Sequence, residues 1–150
     1  MKTPKARQAI EGYLASRPQE NAFLCAEFVA ALAPTSYSSI ARVLAALVRE
    51  GVLVKVGYGA YVRAIVEEDN GERFAYPACS DRVYAREILI KLGVSPQADS
   101  ATLAYNEKRS TQVPAWLAYN VGRARVVRKI GFGKRRLQYE RSCRKSSPGY

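Results

Sequence analysis

Three patterns in this chain predict an α+β fold. Residues 40–48 carry an apolar stripe at helical spacing, residues 52–65 alternate with period two around a glycine turn, and the stretch beyond Pro114 is basic and strand-like between glycines. In order, these patterns predict an N-terminal winged helix-turn-helix followed by a small helix and an antiparallel β-meander.

Each element has a local cause. Thr3-Pro4 is a cap followed by proline at the first helical position, and Ala6, Ile10, Tyr13 and Leu14 form a helical stripe as far as Arg17-Pro18. Phe23-Leu24 reads as a short extended piece. A second helix is expected over 26–33, with Cys25 at the cap position and Phe28, Ala31 and Leu32 facing inward. Pro34 forbids its continuation, and Thr35 or Ser36 caps a third helix. On that helix Ile40, Val43, Leu44, Leu47 and Val48 recur at i, i+3, i+4, i+7 and i+8, and Gly51 supplies the stop. Val52, Val54 and Val56 then alternate with Leu53 and Lys55, and Gly57-Tyr58-Gly59 turns the chain into the returning strand 60–65.

The acidic run Glu67-Glu68-Asp69-Asn70-Gly71-Glu72 reads as the start of a linker. Ser80 or Asp81 caps a helix on which Tyr84, Ala85, Ile88, Leu89 and Leu92 share a face, and Gly93 ends it. A shorter helical piece is expected over 100–106. Strands are expected at 115–121, 125–130 and 134–141, separated by Gly122 and Gly131-Phe132-Gly133. The predicted organisation is a winged helix-turn-helix domain over 1–66, an acidic linker over 67–79, a basic α/β module over 80–141 and a flexible tail over 142–150.

Composition narrows the function. The chain has 150 residues, no histidine and three widely spaced cysteines, Cys25, Cys79 and Cys143, with no CxxC pair. Zinc-ligand spacing and most nucleophile–base pairs are thereby excluded, and no GxxxxGK[ST] phosphate loop is present. No catalytic residue, metal or cofactor is expected, and the chain does not read as an enzyme. No apolar run approaches the roughly 20 residues of a membrane span, and no leader pattern opens the chain, so no membrane contact and a cytoplasmic location are expected.

The net charge of +11 is unevenly spread. Residues 1–66 carry 8 Lys/Arg against 4 Asp/Glu, residues 67–100 carry 4 against 7, and residues 101–150 carry 12 against 2. A one-sided segment of this kind points to a polyanion. Ser38, Arg42, Ala45 and Arg49 lie opposite the apolar stripe, where hydroxyls and alanine permit close approach and guanidiniums reach base edges or phosphates. The residues expected at double-stranded DNA are Ser36, Tyr37, Ser38, Ser39, Arg42 and Arg49 on the helix, with Lys55, Tyr58 and Arg63 on the hairpin. In the basic module Arg123, Arg125, Arg128, Lys129, Lys134, Arg135 and Arg136 are the expected polyanion contacts, interleaved with Trp116, Tyr119, Phe132 and Tyr139.

The run FLCAEFVAALAPTSYSSIARVLAALVREGVLVKVGYGAYVR, followed by a helix and then by STQVPAWLAYN and RARVVRKIGFGKRRLQYERS, resembles the AbiEi-type antitoxin regulators and related stand-alone winged-helix proteins of bacterial mobile elements. The more specific part is Ser110-Thr111-Gln112-Val113-Pro114 leading into the basic strands, which resembles that family's second module. The resemblance covers roughly residues 20–141. It implies an autorepressing transcriptional regulator encoded beside a nucleotidyltransferase-type toxin, with the second module carrying antitoxin function. The alternative is an interaction protein whose basic module binds a toxin, an acidic protein or structured RNA. A homodimer is a further partner to test.

Overall fold

The computed structural model describes residues 5–108, 117–124, 126, 129–133 and 135–141. The fold is α+β. Its elements run α1 (Lys5–Ala15), β1 (Ala22–Leu24), α2 (Cys25–Ala31), α3 (Tyr37–Arg49), β2 (Leu53–Gly57), β3 (Ala60–Asp69), β4 (Glu72–Pro77), α4 (Asp81–Lys91), β5 (Gln97–Ala98), α5 (Ser100–Asn106), β6 (Ala118–Asn120) and β7 (Gln138–Glu140).

The first sheet has the order β1-β3-β2, all antiparallel, with Ala22 opposite Val62 and Val54 opposite Val62 on the other side. Each of its faces is covered. On one, Ile10, Leu14, Phe23, Phe28, Ile40, Leu44, Leu47, Leu53 and Tyr61 bury α1, α2 and α3 against the strands. The stripe expected on α3 is the part of that helix that packs here, with Ile40, Leu44 and Leu47 essentially inaccessible. The helix ends as its glycine requires: Gly51 has φ +81, its N–H donates to Val48 O, and the Val52 N–H donates to Leu47 O.

The opposite face is where the structure departs from a separable N-terminal unit over 1–66. Ala22, Leu24, Val54, Val56, Ala60 and Val62 share one buried cluster with Tyr84, Ala85, Ile88, Leu89, Leu117, Val121, Val126, Ile130 and Leu137. The second half of the chain therefore supplies the other half of the sheet's core. A polar joint reinforces it at the free edge of β1. One carboxylate oxygen of Glu87 accepts from the N–H groups of Asn21 (2.9 Å) and Ala22 (2.8 Å), and the other accepts from Asn21 Nδ2 at 2.9 Å. Lys91 Nζ, one turn on, donates to Ala22 O at 2.7 Å and pairs with Glu20 (2.6 Å) and Glu27 (2.8 Å). Side chains of α4 thus satisfy backbone groups that a strand edge would otherwise leave open.

Two more expectations are corrected. Most of the stretch read as an acidic linker is a hairpin: β3 runs on to Asp69 and pairs with β4 from Ala64↔Pro77 to Asp69↔Glu72. Its turn is Asn70-Gly71 with φ +52 and +83, positive at both central residues as a type I′ turn requires. The antiparallel meander is replaced by a sheet of order β5-β6-β7 in which β6 and β7 are parallel. Val126 and Ile130 are buried in the core, and Gly122, Gly131 and Gly133 take positive φ. The second helix spans 25–31, with Ala31 exposed and Leu32 half-buried. No helix among the described residues is long and apolar enough to cross a membrane.

Candidate nucleic-acid interface

The surface around α3 is built from its cap outward. The Ser36 Oγ accepts from the Ser39 N–H at 3.2 Å and donates to the Ser39 hydroxyl at 2.9 Å, so these two hydroxyls are occupied in starting the helix. Tyr37, Ser38, Arg42, Ala45 and Arg49 are all exposed, on the side away from the buried stripe. Ser39 is half-buried. At the other end of α3, the Arg7 guanidinium on α1 grips the Glu50 carboxylate at 2.7 and 2.5 Å and holds that carboxyl below its ordinary range.

The β2–β3 hairpin stands beside the start of the helix. Lys55 pairs across the ladder with Tyr61, which places it on the α3 face of the sheet, and its side chain is exposed. Tyr58 is 77% exposed at the turn, with Lys55 Nζ 5.9 Å from its ring centroid. Tyr37 and Tyr58 line the same cavity, and the neighbouring Tyr58 phenol holds Tyr37 above the usual tyrosine range. The first turn of α3 and the hairpin tip therefore lie beside one another. The cavity, of about 620 Å³, is lined by Leu24, Cys25, Val29, Tyr37, Tyr58 and Leu92, and burial pushes the Cys25 thiol up.

Arg63 has a different task from the phosphate contact expected of it. Its Nε donates to Glu20 O at 2.7 Å, its Nη2 donates to Leu14 O and Arg17 O at 2.7 Å each, and its guanidinium lies 5.0 Å from the Phe23 ring centroid. The last carbonyls of a helix lack intrahelical partners, and Arg63 supplies donors to those at the end of α1. It points inward and holds the fold.

The basic module reaches the same hairpin. The Gly131 N–H donates to Val56 O at 2.7 Å, so segment 129–131 lies along the outer edge of β2. A Cβ on Gly57 would run into the Lys129 carbonyl, which is why glycine stands there. Lys129, Arg135 and Arg136 are exposed, as is Arg123 in the turn after β6. Two of these are also held internally: Arg135 pairs with Asp81 on α4, and Arg136 donates to Gly133 O. Arg125, Arg128 and Lys134 lie outside the described residues.

Sequence reasoning did not anticipate the shared cavity of Tyr37 and Tyr58 or the docking of 129–131 on the hairpin. A signal was present in the two Gly-aromatic-Gly turns, Gly57-Tyr58-Gly59 and Gly131-Phe132-Gly133, which the fold brings to neighbouring positions. Among the described residues, no three His, Cys, Asp or Glu side chains converge to hold a metal. Comparison with known proteins gives no family model and no curated protein that matches the chain.

Proposed function

We propose that the protein is a DNA-binding transcriptional regulator of the winged-helix type, with α3 as the recognition helix and the β2–β3 hairpin as the wing. The observation that carries this reading is the exposed face Ser38, Arg42, Ala45 and Arg49 on a helix whose first turn, at Tyr37, lies beside the exposed hairpin tip at Tyr58. A helix of this kind fits the major groove, where Arg42 reaches base edges while Lys55 and Tyr58 meet the backbone beside it. The element order and the pairing of β1 with β3 on the side away from β2 support the same reading. Lys129, on the segment docked against the wing, and the exposed Arg136 extend the cationic surface.

Autorepression with an antitoxin-like role rests on the resemblance of residues 20–141. A toxin gene beside this one, whose product is neutralised by co-expression, tests that part. The DNA reading is tested by gel-shift titration against the region upstream of the gene and against random duplex. Arg42→Ala is expected to lose about 1–3 kcal/mol of binding on the upstream region and little on random DNA. Equal affinity of the wild type for both duplexes removes the base-reading role.

A further inference from the structure

Phe132 leaves part of an apolar ring open to solvent in a basic turn. It is 39% exposed at a turn flanked by Gly131 (φ +157) and Gly133 (φ +65), among exposed Lys129, Arg135 and Arg136. The turn is held at several points. The Gly131 N–H donates to Val56 O at 2.7 Å, and the Leu137 N–H donates to Ile130 O at 2.7 Å. Room is tight as well: a Cβ on Gly131 would come within 2.8 Å of Arg136 Cα. The Arg135–Asp81 ion pair ties the far side of the turn to α4. The backbone on either side of the ring is thus bonded into the fold, which lowers the ordering cost on binding.

Isolated exposed apolar side chains are ordinary on protein surfaces. What sets this one apart is its combination of a hydrogen-bonded backbone, a cationic surround and a position against the edge of the wing strand. Polyanion-binding proteins use an apolar side chain in a cationic setting to pry apart adjacent base pairs from the minor groove, while neighbouring cations hold the phosphates. The wing places its own aromatic tip, Tyr58, next along the same edge, since Gly57 abuts Lys129.

We propose that the turn carrying Phe132 is a second DNA-contacting finger, in which the Phe132 ring wedges into a base step beside the wing and Lys129 and Arg136 hold the flanking phosphates. The inference rests on the DNA-binding reading above. It adds a bound state in which the duplex is locally unstacked, and it favours DNA containing a step that opens cheaply, such as a pyrimidine–purine step or a mismatch.

The test uses the full chain and two probes: a short duplex with a central TpA step, and the same duplex with a central T·T mismatch. Wild type is expected to hold the mismatched probe about tenfold tighter, because part of the unstacking cost is already met. 2-Aminopurine placed next to the central step is expected to brighten on binding as its stacking is lost. Phe132→Ala is expected to abolish both the preference and the brightening while keeping the wild-type circular dichroism spectrum. Lys129→Ala is expected to weaken both probes alike and keep the preference. Equal binding of the two probes by wild type, or a preference that survives Phe132→Ala, overturns the wedge and leaves the DNA reading standing. Failure to bind either probe overturns both.

Discussion

Replacing Glu87 by alanine is the sharpest test of how the two halves of the chain hold together. The carboxylate accepts three hydrogen bonds, two from backbone N–H groups of the strand edge at Asn21 and Ala22 and one from the Asn21 amide. Truncation leaves those donors without their acceptor. A buried donor left so costs about 1–3 kcal/mol, and the partial exposure of this site lets water reach some of it, so the expected loss is about 2–4 kcal/mol in total. That is a large part of the roughly 5–15 kcal/mol available to a domain of ordinary stability. With a urea dependence of about 1–3 kcal/mol/M, the unfolding midpoint moves down by roughly 1–2 M. Glu87→Gln should cost far less, about 1 kcal/mol, because an amide oxygen can take the two backbone N–H groups while the Asn21 amide flips to meet its NH2. The assay is urea unfolding followed by far-UV circular dichroism. An alanine variant within about 0.5 kcal/mol of wild type, the ordinary range for surface substitutions, would refute the joint between α4 and β1.

Three other outcomes are expected. Arg63→Ala should lower stability by about 2–4 kcal/mol, since it removes donors from three carbonyls around the end of α1, and should leave the salt dependence of DNA binding unchanged. A thermal melt beside a salt titration checks this, and an unchanged melt with a flattened salt dependence would restore Arg63 to the interface. Gly57→Ala should displace segment 129–131 from the wing edge, because its Cβ would meet the Lys129 carbonyl, and amide hydrogen exchange at Gly131 should quicken. At alkaline pH, Tyr13 is pushed up to about 12 by burial and then by its hydrogen bond to Glu27. The folded state therefore keeps a proton that the unfolded chain releases near pH 10, so stability present below pH 10 is lost as pH rises toward 12. Tyr13→Phe should make that decline shallower in denaturant titrations at pH 9 to 12.

Much of the first half was legible because its signals are local. The α3 stripe, the Ser36 cap, the Gly51 stop and the Gly57-Tyr58-Gly59 turn each act within a few residues, and the structure places each where its chemistry requires. The β3–β4 hairpin was also local, yet its acidic composition drew attention away from Asn70-Gly71, whose two positive-φ residues make a tight turn whatever the charges around it. Long-range choices were not legible. Nothing in the period of residues 115–141 distinguishes strands that pair with one another from segments that dock on the first sheet. The parallel pairing of Ala118–Asn120 with Gln138–Glu140, and the burial of Ile130 in one cluster with β2 and α4, depend on the face of that sheet turned away from α1, α2 and α3. The charge of Arg63 and its place on the hairpin point to phosphate, whereas the decisive factor is the set of carbonyls around the end of α1 that only tertiary structure brings within reach.

The most direct test of the proposed interface is the slope of log K against log salt for duplex binding, comparing wild type with the double variant Lys55→Ala/Lys129→Ala. Both lysines are exposed, one on the wing and one on the segment docked against it, and neither substitution empties the core. Each phosphate contact contributes about 0.9 to the slope, so the double variant is expected to be shallower by about 1.8. Coinciding slopes would place both lysines away from the phosphates and contradict a DNA surface built from the wing and the basic module together.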